Sequence, residues 1–136
     1  MTHLTGACLC GAVTFEVSAD PVFQFACHCT DCQRASGGAP TLGMAFPEPA
    51  LTVTKGTPRG YSVTGDSGGD VTRSFCETCG TPLFSRPQVM PGMVVVKVGA
   101  LNDPTSFKPQ VDLYMDSAHA WHRPHDGAAA FAKVPG

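Results

Sequence analysis

The sequence has no apolar run approaching the ~18–20 residues that cross a bilayer, and Lys97 breaks its best stretch, Met93 to Val98. A helical membrane span is therefore not expected. It has no excess of either charge: nine Lys plus Arg stand against eleven Asp plus Glu, a formal net charge of −2, with no run of one sign. A duplex-DNA or RNA binder shows a basic stripe or face, so nucleic acid is not an expected partner. The opening Met1-Thr2-His3-Leu4-Thr5-Gly6 carries no basic region followed by an apolar stretch. No secretion signal is read there, and the expected compartment is the cytoplasm. A phosphate cradle is also missing, because Gly65 to Gly69 lacks the lysine and the following helix. Isolated Ser and His residues support no Ser-His-Asp triad. Internal repeats, linkers and low-complexity segments are absent, and 136 residues suit a single domain over 1–136.

Turn formers are plentiful. Fifteen Gly and twelve Pro make about a fifth of the chain, short of the ~25–30% that signals disorder, and they predict many short strands. Period-two alternation agrees with an all-β domain. Val13, Phe15 and Val17 alternate with Thr14, Glu16 and Ser18; Phe23 and Phe25 flank Gln24; Leu42, Met44 and Phe46 form a face ended by Pro47 and Pro49. Leu51 with Val53, Tyr61 with Val63, Val71 to Phe75, Val94–Val96–Val98 and Val111–Leu113–Met115 read as further strands. Gly65 to Asp70 has hairpin chemistry. One helix is predicted from about Cys29 to Ala35, stopped by Gly37-Gly38. Phe15, Phe25, Phe75 and Phe84 fall beside cysteine groups and read as core, because aromatics dominate small cores.

Seven cysteines carry the chemistry. Disulfides do not suit them: the cytoplasm keeps thiols reduced, and an odd count leaves one unpaired. They cluster as Cys8-Leu9-Cys10, Cys27-His28-Cys29-Thr30-Asp31-Cys32 and Cys76-Glu77-Thr78-Cys79-Gly80. Cysteines so close in sequence chelate one ion readily, with each sulfur about 2.3 Å from it, which suits Zn²⁺. Two partitions satisfy the spacing. Cys29 and Cys32 could join Cys76 and Cys79 in a zinc ribbon, or Cys8, Cys10, Cys76 and Cys79 could surround one ion while Cys27, Cys29 and Cys32 converge on another. Spacing does not choose between them.

Gly6-Ala7-Cys8-Leu9-Cys10-Gly11 followed by Val13-Thr14-Phe15-Glu16, Cys27-His28-Cys29-Thr30-Asp31-Cys32-Gln33-Arg34, Phe75-Cys76-Glu77-Thr78-Cys79-Gly80-Thr81-Pro82-Leu83, Val98-Gly99-Ala100-Leu101-Asn102-Asp103-Pro104 and the late Trp121 run over nearly the whole chain. In this ordered set the sequence resembles the glutathione-dependent formaldehyde-activating enzyme family, which shares a domain with centromere protein V. The resemblance implies a mainly β fold, an antiparallel β-tent with zinc knuckles and one short helix. It also implies the second partition: Cys8, Cys10, Cys76 and Cys79 hold a structural zinc, and Cys27, Cys29 and Cys32 hold a catalytic one. Asn102 stands where the family usually has Asp, and the chain is shorter than the formaldehyde enzymes proper.

Three thiolates leave one coordination position open, the mark of a catalytic zinc. A soft exogenous thiol fits that position, and binding there deprotonates it. The expected enzyme is a carbon–sulfur lyase of the S-(hydroxymethyl)glutathione synthase type, with two zinc ions per chain. Its small-molecule partners are a thiol, glutathione or another, and formaldehyde or another small electrophile. The alternative is a zinc-stabilised, non-enzymatic protein-binding module, which a histidine in the fourth position would favour. His28 lies inside the knuckle, but consecutive residues in so tight a turn point apart. His119, His122 and His125 flank Trp121, where Pro124 breaks any aligning helix, so exposed surface is their expected place. His3 reads as a solvated terminal residue. Asp31 and Arg34 are expected to form a surface i,i+3 ion pair.

Overall fold

The computed structural model describes residues 3–135; Met1, Thr2 and Gly136, within the domain expected over 1–136, lie outside the described residues. In chain order the strands are β1 (His3–Ala7), β2 (Thr14–Ser18), β3 (Phe23–Cys27), β4 (Thr41–Pro47), β5 (Leu51–Lys55), β6 (Arg59–Thr64), β7 (Asp70–Phe75), β8 (Pro82–Pro87), β9 (Met93–Lys97), β10 (Val111–Leu113) and β11 (Ala129–Ala130). One helix, α1 (Thr30–Ala35), follows β3. Strands β1-β2-β5 form a small antiparallel sheet, and the rest form a large one in the order β11-β10-β3-β4-β9-β8-β7-β6. The fold is mainly β, as expected from the periodicity.

Alternation along the central strands gives the large sheet two buried faces. Val94 and Val96 of β9 join Met44 and Phe46 of β4, Phe84 of β8, and Phe15 and Val17 of the small sheet in one core. Val95 and Ala45, the out-of-phase neighbours, join Phe25, Cys27, Cys32 and Val111 in a second. Phe15 and Phe84 meet edge to face, with ring centroids 4.9 Å apart, a favourable aromatic geometry. On the second face Gly43 leaves room for an aromatic ring. A Cβ there would come 2.6 Å from Val95 Cγ1 and 2.8 Å from Phe25 Cζ.

Several expectations need adjustment. The β10 strand pairs in parallel with both β3 and β11, although the other pairings are antiparallel. After β9 the chain turns through a 3-10 helix, Val98–Ala100, and crosses to the far edge of the sheet. There Lys108 and Gln110 dock on Gln24, so β10 enters in the same direction as β3. Val98 and Met115, expected in strands, instead begin 3-10 turns. Strands β1, β8 and β11 are not singled out by alternation; β8 runs from Pro82 to Pro87. His3 is exposed as expected but sits in β1, with Nδ1 3.0 Å from Ser18 Oγ. Among the described residues no helix is long and apolar enough to cross a membrane.

Candidate metal centres and active site

Two turns bring the first sulfur group together. After β1, Gly11 N–H closes on Cys8 C=O at 3.1 Å; after β7, Gly80 N–H closes on Cys76 C=O at 2.7 Å. Both glycines have φ near +80°, a left-handed conformation that costs a side-chain-bearing residue energy. Thr81 links the turns: its Oγ1 accepts from Leu9 N–H at 3.0 Å and lies 3.2 Å from Cys79 Sγ. The sulfurs of Cys8, Cys10, Cys76 and Cys79 consequently all lie within 4.8 Å of one another.

These distances can be tested against a metal. Sulfurs at tetrahedral corners about 2.3 Å from one ion lie about 3.8 Å apart, whereas a disulfide requires about 2.05 Å. Cys8 and Cys10 Sγ are 3.7 Å apart, and Cys10 and Cys76 Sγ 3.8 Å. Protonation points the same way. The Thr81 hydroxyl and N–H hold the Cys79 thiol down at about 5. The Ala12 N–H favours the Cys10 thiolate, yet desolvation and the sulfurs of Cys79, Cys8 and Cys76 together push its thiol up to about 11. Four thiolates at this spacing repel one another, and a divalent cation removes that cost.

The second group is built within one knuckle. Cys27 ends β3, Cys29 caps α1, and Cys32 lies in the first turn of the helix. The helix begins one residue later than its expected start because Cys29 serves as the N-cap, its Sγ accepting from Cys32 N–H at 3.4 Å. It ends as expected: Gly38 N–H returns to Gln33 C=O at 2.7 Å. The three sulfurs converge within 4.8 Å, so the structure groups the cysteines as four and three. Hydrogen bonds among them push the Cys27 thiol far up and hold the Cys32 thiol far down. Without a cation only one of the three readily carries the charge.

The trio forms the floor of a cleft of about 420 Å³. Phe23, Phe25, Met90 and Leu113 give the cleft an apolar wall, and Arg73 and Lys97 add two cationic side chains to its lining. Phe25 is thus both core and wall, whereas Phe15 and Phe84 are core alone and Phe75 is half-buried. At the rim Tyr114 Oη donates to Asp66 Oδ2 at 3.2 Å, and Lys133 Nζ lies 3.7 Å from the same oxygen. Burial, with Asp66 adding to it, pushes the Tyr114 hydroxyl up to about 12. Among the described residues Tyr114 alone, apart from glycines, has a positive φ, at 56°, a strained conformation of the kind that clusters at sites. Asp31 borders the cleft, and the expected Asp31–Arg34 ion pair is not formed among the described residues.

Sequence reasoning missed Lys97 and Arg73. Lys97 is only 8% exposed, and its Nζ donates to Thr41 Oγ1 at 3.3 Å. Burial pushes its ammonium down and the nearby Arg73 adds to this, against the favourable charge of Cys32. Arg73 Nη2 lies 3.8 Å from Cys32 Sγ. The signal was a lysine in phase with Met93 and Val95 in an otherwise apolar strand; it registered only as a break in that run.

The histidines are engaged away from the trio. His28 Nε2 and His125 Nδ1 both donate to Asp112 Oδ1, at 2.9 and 2.8 Å, and Asp112 Oδ2 accepts His125 N–H at 2.7 Å. Burial pushes the Asp112 carboxyl up, but the bonds from His28 and His125 outweigh it and hold it below its ordinary value. His28, Asp112 and His125 could themselves hold an ion; their short contacts also make a hydrogen-bond network on Asp112, although His28 Nδ1 is buried without a partner. His122 Nε2 donates to Gly38 C=O at 2.7 Å, and His119 stacks on Trp121, which is 72% exposed. His119 is exposed as expected, whereas His122 and His125 are half-buried.

The arrangement can be set beside known proteins. The family model for the glutathione-dependent formaldehyde-activating enzyme matches residues 3–117. A Rhodobacter sphaeroides protein of known crystal structure superposes with a TM-score of 0.61 at 25% identity, over 75% of this chain and 93% of that one. No curated protein matches. With the match covering most of its length, the chain belongs to the glutathione-dependent formaldehyde-activating enzyme family.

Proposed function

We propose that the chain is a zinc-dependent carbon–sulfur lyase-like enzyme that acts, as a single cytoplasmic domain, on the adduct of a thiol with a small electrophile. Glutathione is the favoured thiol, and formaldehyde or another small carbonyl compound the electrophile. One observation carries the reading: three cysteine sulfurs without a histidine partner meet on the floor of a 420 Å³ cleft, while four others meet elsewhere. Cys8, Cys10, Cys76 and Cys79 would hold a structural zinc, and Cys27, Cys29 and Cys32 a catalytic one. When bound to the trio, zinc would supply Lewis acidity and a fourth position at which an exogenous thiol loses its proton.

The protein's own residues do the rest. Asp112 fixes His28, and His28 lies between Cys27 and Cys29, so the knuckle is held in place before any ligand arrives. Gln33 Nε2 donates to the carbonyls of His28 and Ser117, at 2.7 and 3.0 Å, bracing the same turn. Phe23, Phe25, Met90 and Leu113 exclude water from one side of the trio. The cleft is far larger than a one-carbon aldehyde needs, which leaves room for the body of the thiol. Asp31, Asp66 and Lys133 along it offer both charges to a zwitterionic partner. Holding both reactants there replaces a bimolecular encounter, a gain of several kcal/mol. In synthesis a C–S bond forms, the carbonyl π bond opens, and the thiol proton ends on the new hydroxyl; lysis is the reverse.

The test is zinc content together with thermal shift by glutathione. Two ions per chain and a glutathione-dependent rise in Tm are expected. One ion and no response to any thiol would contradict the reading. A non-enzymatic binding module has the exposed indole of Trp121 in its favour, and it predicts two ions with no turnover of any thiol adduct.

A further inference from the structure

Lys97 and Arg73 are two cationic side chains in a place where burial makes charge costly. Lys97 extends from β9 on the face that carries Cys27, and the register sets Gly43 opposite Lys97 and Thr41 opposite Cys27. Arg73 extends from β7, opposite Ser85 of β8, which itself faces Val95 of β9. The two side chains therefore stand on one sheet face, on strands separated by β8, and both line the cleft. Neither forms an ion pair with a carboxylate among the described residues. Lys97 uses one of its three N–H bonds on Thr41. Arg73 Nε is buried with no hydrogen-bond partner. Buried donors are rarely left unpaired, and two like charges held together call for an anion to share them.

We propose that Lys97 and Arg73 form an oxyanion pocket, holding the electrophile's carbonyl oxygen as it becomes negative when the sulfur of the thiol adds to the carbon. The inference rests on the thiol-addition reading above and deepens it by naming what activates the second substrate. In the step, the sulfur lone pair forms the C–S bond and the carbonyl π pair moves onto oxygen. The Lys97 ammonium and the Arg73 Nε–H hydrogen-bond that oxygen, and the proton released by the thiol completes the hydroxyl by way of water. Donors aimed at the oxygen of the product state favour the transition state over the neutral carbonyl. The charges of the trio alone would not call for Arg73 Nε–H, because only Nη2 of Arg73 approaches Cys32 Sγ.

The test compares two thiols on the zinc-loaded protein by calorimetric titration. Thioglycolate carries a carboxylate close to its sulfur, and ethanethiol carries none. Wild type is expected to bind thioglycolate at least tenfold more tightly than ethanethiol. Lys97→Met, a close apolar match in length, is expected to bring that preference within twofold while leaving ethanethiol binding and zinc content unchanged. Arg73→Lys, which keeps the charge and removes the Nε–H, is expected to lose part of it. Addition of glutathione to an aldehyde should slow at least 100-fold in Lys97→Met, in kcat and not in the KM for the thiol. The proposal is overturned if both thiols bind without preference in wild type, or if the preference survives in Lys97→Met. If neither thiol binds, the thiol-addition reading falls and the oxyanion pocket falls with it, a result distinct from both.

Discussion

The two sulfur groups bring the same kind of atom together in different ways, and the chain between them shows how. Cys8 and Cys10 follow a strand of the small sheet, and Cys76 and Cys79 follow a strand of the large one. An ion shared by these four would staple the two sheets across about half the sequence. Cys27, Cys29 and Cys32 lie within six residues, braced by an N-cap and by the Asp112–His28 bond. That knuckle is held by hydrogen bonds whether or not an ion is present. A closed site that joins distant segments contributes to folding, and an open one on a prebuilt turn is free for chemistry.

The strongest way to break this contrast is to remove one ligand from each group. Cys76→Ser is expected to abolish cooperative unfolding and native strand content, since structural zinc contributes on the order of 10 kcal/mol in small domains; circular dichroism and urea titration report it. Cys29→Ser is expected to keep the fold, with a Tm close to wild type, and to lower turnover at least 100-fold. Equal loss of structure in both variants would erase the distinction.

A smaller effect sharpens the account of the knuckle. Asp112→Asn retains an acceptor but loses the charge that two histidines share, and should cost about 1–3 kcal/mol in urea unfolding. Because the Asp112 carboxyl is held below its ordinary value by its partners, its contribution is present above an unfolded value near 3.9 and fades as pH falls through the lower native value. The stability gap between wild type and Asp112→Asn should therefore narrow in acid. Of the same order in stability is Gly43→Ala, whose Cβ would meet Val95 and Phe25; overpacking of this kind costs about 1–3 kcal/mol. It should displace Phe25 and raise the KM of an adduct more than it lowers kcat.

Much of the site could be read from residue order because its ligands are local. The trio, its helix and the Gly37-Gly38 stop lie within a dozen residues, and alternation marked Val94 and Val96 as central. Elsewhere the physics is long-range. Pairing of Cys8 with Cys76 needed the family resemblance, since spacing allowed a ribbon equally well. Asp112 and His28 are joined through β10 docking in parallel on β3, a topology no local period encodes. Lys97 looked like an interruption because an isolated strand does not reveal that one of its faces lines a cleft.

The central contrast is tested most directly by stepwise chelation of the zinc-loaded protein, following metal release, turnover and far-ultraviolet circular dichroism together. The expected course has two stages: a first ion leaves with loss of turnover and an unchanged strand signal, and a second leaves only as the chain unfolds. Release of both ions in one step with unfolding, or unfolding on loss of the first, would contradict a division between scaffold and active site.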